Sequence, residues 1–224
     1  MTDDRYATPE KSAGDVAHAV TKAGLSAIPI IGGPAVELFQ LVMQPPLEKR
    51  RAEWMQRVGE GLKALEESGL DIETLGENEE FVSAVMQASQ IALRTHQEEK
   101  LEALGNAILN VASEQAPDEA LQLMFLNFVD AFTEWHIRVL KLFQAPPGQS
   151  GIMAGGLSHV LENSFAELKG RREFYDSVWR DLFLRGLVNT ETLHTTMSAG
   201  GLATKRTTAH GDQFLAFIAR PKDM

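Results

Sequence analysis

Apolar positions repeat at helical spacing along most of the chain, and the rhythm changes once, between Gly186 and Thr208. Before the change, Phe174, Val178, Leu182 and Leu184 lie near helical spacing, with Trp179 and Phe183 widening the stripe. Gly186 followed by apolar Leu187 reads as a Schellman ending. Leu193, Thr195 and Met197 then alternate as on one face of a strand. Ser198-Ala199-Gly200-Gly201 supplies a turn able to take positive φ, and Leu202 to Thr207 forms the return strand. Thr207 or Thr208 caps a closing helix with Phe214, Leu215, Phe217 and Ile218 as its apolar set.

Helix, β-hairpin, helix is the end of a winged-helix module, which needs two earlier helices. Thr133 can cap Glu134 to Gln144, with Ile137, Leu140 and Phe143 inward, and Leu157 to Leu168 offers Leu161, Phe165 and Leu168. The Gly- and Pro-rich stretch from Ala145 to Gly156 is an insertion between them.

Upstream, the pattern is helical throughout. Thr8-Pro9 starts a first helix, and Pro34 begins a short one that Pro45-Pro46 ends. Leu47 to Ser68 is amphipathic through Leu47, Trp54, Val58, Leu62 and Leu65. Asn78 opens the next helix, Thr95 and Glu98 make a capping box for another, and Pro117-Asp118-Glu119 opens a further one. The predicted architecture is mainly α: an all-helical domain over residues 1–132, then a winged-helix-like domain with one β-hairpin over residues 133–224.

One stretch departs from this pattern. Residues 23–36 are 14 in a row without charge. They fall short of the ~20 residues of a spanning helix, and Pro29, Gly32, Gly33 and Pro34 interrupt them. Two readings stand: a buried crossover between helices, or a segment that refolds against a membrane or partner through Ile28, Ile30, Ile31, Gly32 and Gly33. The cationic run Glu48-Lys49-Arg50-Arg51 that follows reads as a solvated face or an anionic-partner contact.

Composition narrows the class of chemistry. The 224-residue chain has no cysteine, which removes disulfides, thiol catalysis and thiolate zinc sites. The acidic, polar opening MTDDRY does not read as a secretory signal, so a cytoplasmic protein is expected. Net charge is −10, spread as −11 over residues 1–154 (12 Lys/Arg, 23 Asp/Glu) and +1 over residues 155–224 (9 and 8). The front therefore repels nucleic acid and anionic lipid over most of its surface.

Candidate chemistry is thin. None of the six histidines stands at i, i+4 with another, and no HExxH occurs. Gly156-Leu157-Ser158-His159-Val160 lacks the second glycine of a nucleophile elbow. Adjacent carboxylates such as Glu79-Glu80 diverge on a helix. No enzyme activity, cofactor, metal or small-molecule substrate is expected. A contact surface is the remaining candidate. Lys169, Arg171 and Arg172 sit at the start of the third winged-helix helix, which in DNA readers enters the major groove N-terminus first. Lys205 and Arg206 sit on the return strand, and Tyr175, Arg180 and His194 could join them. Glu173, Asp176 and Asp181 on the same helix oppose the strongly positive footprint of a DNA interface, so packing or protein contact is favoured over DNA.

The layout resembles bacterial proteins related to the abortive-infection alpha family. The residues that carry this are Ile28-Pro29-Ile30-Ile31-Gly32-Gly33-Pro34, Leu47-Glu-Lys-Arg-Arg51 and Thr133-Glu-Trp-His-Ile-Arg-Val-Leu140, with the ending Leu187-Val188…Thr207-Thr208-Ala-His-Gly211…Phe214-Leu215. The resemblance implies a role in phage defence by growth arrest or cell death, and carries over no catalytic residue. The expectation is a non-enzymatic protein acting on an unknown protein partner or on itself. A DNA-binding regulator and a membrane effector through residues 23–36 are the alternatives.

Overall fold

The computed structural model describes residues 34–148 and 154–222, with side chains described from residue 47 on. Ile28, Ile30, Ile31, Gly32, Gly33 and the Thr8-Pro9 start lie outside the described residues. The fold is mainly helical with one two-stranded antiparallel sheet. Met1–Lys49 and Arg50–Met224 are separate compact units.

The front helices are α1 (Pro34–Glu67), α2 (Glu79–Ala92), α3 (Glu98–Ala112) and α4 (Glu119–Ala131). A 3-10 turn at Glu73–Glu77 leads into α2. The helical assignment of α1 continues across Pro45-Pro46, where the sequence reading expects a stop. Each proline gives up an amide donor, but its fixed φ is already helical, and the strong helix formers that follow carry the element on. The Asn78 carboxamide accepts from Phe81 N–H and the Asp118 carboxylate from Leu121 N–H, so both predicted N-caps form. The capping box expected from Thr95 and Glu98 does not. Gln97 is the N-cap, Thr95 Oγ1 accepts from its N–H, and Glu98 pairs with Arg57 of α1.

Next come α5 (Glu134–Gln144), β1 (Ala154–Gly155), α6 (Leu157–Ser164), a 3-10 turn at Ala166–Leu168, and α7 (Arg172–Leu184). Then follow β2 (Met197–Ser198), a single helical turn α8 (Ala199–Leu202), and α9 (Ala209–Phe217). This part of the chain therefore runs helix, strand, helix, helix, strand, helical turn, helix. Helix α7 ends as expected: Gly186 takes φ 70°, its N–H reaches Phe183 O at 2.8 Å, and Leu187 N–H reaches Leu182 O at 3.0 Å.

The sheet is not the hairpin drawn from the sequence. Met197–Ser198 pairs with Ala154–Gly155, at the end of the insertion, and not with Leu202 to Thr207. Of the four residues expected to turn, Ala199, Gly200 and Gly201 are helical and Ser198 is their N-cap, its hydroxyl accepting from Gly201 N–H. The return segment pairs further back, through a Val188–Thr207 bridge and Asn189 N–H to Arg206 O. Gly156 belongs to the same crossing: a Cβ there would stand 2.8 Å from Leu193 O.

One apolar core runs through the second unit, from Trp54 and Ile108 to Phe125, Leu140, Trp179 and Phe217. The boundary expected at residues 132–133 passes through that core, since α9 packs on α3, α4 and α5. Buried polar groups bind its helix ends. Lys100 Nζ donates to Asp130 O (2.9 Å) and Phe132 O (2.7 Å) at the end of α4. Burial holds its ammonium below the ordinary lysine value, with Asp130 working the other way. Asn110 and Asn106 of α3 serve the last carbonyls of α9 in the same manner.

Candidate partner-binding cleft

Helix α7 is held at both ends of its length by side-chain bonds. Near its start Tyr175 is buried, and its hydroxyl donates to Glu162 Oε1 of α6 at 3.0 Å. Burial first, and then the carboxylate, push its phenol up to about 12. Near its end Asp181 meets His136 Nε2 of α5 at 3.3 Å. His136 Nδ1 accepts from Thr133 N–H at 3.1 Å, closing a capping box at the start of α5. A backbone amide can only donate, so Nδ1 carries the lone pair and the imidazole proton sits on Nε2, directed at Asp181. Burial pushes this imidazole below its ordinary value, against the opposing pull of Asp181.

Between these anchors α7 and the segment that follows it enclose a cleft of about 680 Å³. Its floor is apolar: Trp179 and Leu193 are buried, and the Trp179 indole N–H is satisfied by Thr190 O at 2.9 Å. Phe183 and Leu184 form one wall, with Leu184 73% exposed. Arg180, Glu191 and Thr192 make the rim. His194 closes one end, its Nε2 2.7 Å from Asp176 Oδ1. The Asp176–His194 pair makes this end of the cleft polar.

The cations singled out from the sequence divide. Lys169, Arg171 and Arg172 are exposed and gather at the start of α7, where Arg171 lies 4.3 Å over the Phe174 ring and Arg172 pairs with Asp176. Arg180 is exposed on the cleft rim. Lys205 pairs with Asp212, which also accepts from Thr207 Oγ1 at 2.6 Å and Gln144 Nε2 at 3.4 Å. Burial raises the Asp212 carboxyl, and these hydrogen bonds outweigh it, holding the group below the usual carboxylate range. The Arg206 guanidinium turns inward, donating to Gly201 O and Met197 Sδ. It fastens the α8 turn and adds nothing to an outer face. Of the residues proposed for a common contact surface, Arg206 is therefore turned away from solvent and Tyr175 is buried.

Comparison with protein-family models, curated proteins and solved structures finds no match for this chain. What identifies a site here is accordingly local geometry. The sequence reading missed Glu191, Thr192 and the Asp176–His194 pairing, because 18 residues separate the last two and only the crossing of the segment after α7 brings them together. Trp179, Phe183 and Leu184 were visible as a stripe too wide for one buried face, which is the signal that a cleft adjoins the helix.

Proposed function

We propose that the chain is a non-enzymatic protein that works by contacting another protein through the α7 cleft. The observation that carries this is the apolar Phe183–Leu184 wall left open to water. A single exposed leucine means little on its own. Here exposed Leu184 and half-buried Phe183 stand over buried Trp179 and Leu193, ringed by Arg180 and Glu191. An aromatic and aliphatic centre with a polar rim is the anatomy of a protein contact site. The setting we propose is phage defence, supported by the resemblance to the abortive-infection alpha family described above.

The test is phage challenge of a host expressing the chain or its Leu184→Lys, Arg180→Glu variant. The reading expects lowered phage yield from the native chain and loss of that effect in the variant, with both proteins melting at the same temperature. Unchanged yield with the native chain removes the defence setting. Protection that survives in the variant removes the cleft.

A second reading keeps one observation in its favour: Lys169, Arg171 and Arg172 stand together and exposed at the start of α7. That is where a DNA-reading winged helix meets phosphates. Exposed Glu167 and Glu173 lie among them, Lys205 is paired with Asp212, and Arg206 is turned onto Gly201 O. Protein contact is therefore favoured.

A further inference from the structure

Helices α2 and α4 lie side by side, and the chain that forms them is free of positive charge. No Lys or Arg occurs between Lys63 and Arg94, nor between Lys100 and Arg138. The first interval holds seven Asp/Glu and the second six. The two helices are registered by side-chain bonds: Gln122 donates to Glu80 at their starts, Gln87 to Asn127 at 3.1 Å midway, and Arg94 to Asp130 at 3.0 Å near their ends. Glu79, Glu80, Asp118 and Glu119 are thereby brought to one end of the pair, and among the described residues none has a Lys or Arg partner.

Both helices carry exposed apolar side chains. Val82 and Met86, one turn apart on α2, are 39% and 60% exposed. Leu123, 40% exposed, sits one turn before Asn127, along the seam that Gln87 crosses. Leucine, valine and an adaptable methionine beside a carboxylate cluster form a surface for a helix with an apolar stripe and basic flanks. A second copy of this chain fits poorly, because it would bring the same negative face at a net charge of −10.

We propose that the α2–α4 face is a second docking surface, and that its occupant is a basic amphipathic helix of a partner protein. The apolar side chains Val82, Met86 and Leu123 bury against the stripe of that helix. The carboxylates at the start of the pair receive its Lys and Arg side chains, which gives orientation and a salt-dependent approach rate. This surface shares no residue with the α7 cleft, so either can fail alone.

The probe is a synthetic peptide of leucine and lysine with leucines at helical spacing, titrated against the full chain by fluorescence anisotropy. Its controls are the same residues in scrambled order and a leucine–glutamate version. Saturable binding of the first peptide alone is expected. It should weaken about tenfold or more in Met86→Lys, Leu123→Lys and in Glu79→Lys, Glu80→Lys. The milder Met86→Gln should weaken it less, and Glu66→Lys, Glu102→Lys should leave it unchanged. Circular dichroism verifies that each variant keeps its helices. The proposal is overturned by no saturable binding, by equal binding of the scrambled or acidic peptide, or by an equal loss in the Glu66, Glu102 variant.

Discussion

The carboxamide of Asn110 donates to the carbonyl of Phe217 at 2.9 Å and reaches Ala219 O at 2.7 Å. This one buried side chain on α3 closes the C-terminal end of α9, tying the front helices to the end of the chain. Replacing it with alanine leaves buried carbonyls without a donor, at a cost of about 1–3 kcal/mol. Asn110→Asp should cost more, since it sets a carboxylate against those carbonyls and the negative end of the helix. Urea unfolding midpoints check the order, native above alanine above aspartate. An alanine variant as stable as the native chain contradicts it.

His136 makes stability depend on acid. Its imidazole is neutral in the folded chain, with Nδ1 accepting from Thr133 N–H and a folded pKa below the ordinary value of 6.5. Between those two values the unfolded chain binds more protons than the folded one. Stability from this group is therefore full above pH 6.5 and falls as pH drops from there through the folded value. Asn at this position keeps an acceptor near Nδ1 and cannot titrate. Unfolding free energies measured from neutral to mildly acid pH should fall less steeply in His136→Asn than in the native chain. Equal slopes would show that His136 is not the group responsible.

Two glycines should respond in opposite senses. A Cβ on Gly211 would stand 2.2 Å from Leu187 O, and backbone must move to admit it. Gly211→Ala should destabilise by about 1–3 kcal/mol. It also disturbs the Thr208 cap, whose hydroxyl both accepts from Gly211 N–H and donates to Gly186 O. Gly59 lies inside α1 with nothing within 4 Å of a new Cβ. Gly59→Ala should stabilise by about 0.5–1 kcal/mol. Thermal melts of the two variants should move apart around the native value; a shift in the same direction for both would contradict the geometry.

Local signals carried the helices well. Asn78, Asp118, Thr133 and Thr208 all stand as N-caps where side-chain chemistry demands them, and Gly186 ends α7 by the expected bonds. Strand pairing was another matter. Period-two alternation marks Leu193 to Met197 as extended but says nothing of the partner, and the partner lies in the Gly- and Pro-rich insertion. The site was half legible for a similar reason. Arg171, Arg172 and Arg180 are where a helix places exposed residues. That Lys205 pairs with Asp212, that Arg206 turns onto Gly201, and that Tyr175 is sealed against Glu162 depend on how the turns between neighbouring elements fold back, which residue periodicity does not give.

Exposed Glu167 and Glu173 lie among Lys169, Arg171 and Arg172, Lys205 is paired with Asp212, and Arg206 turns onto Gly201, so the positive footprint of a DNA interface is broken. Titration of labelled duplex DNA with the full chain at low and then moderate salt tests this most directly. The account expects no saturable binding at either salt. Saturable binding that collapses as salt rises, and that disappears in Arg171→Glu, Arg172→Glu, would contradict it and give the module to DNA.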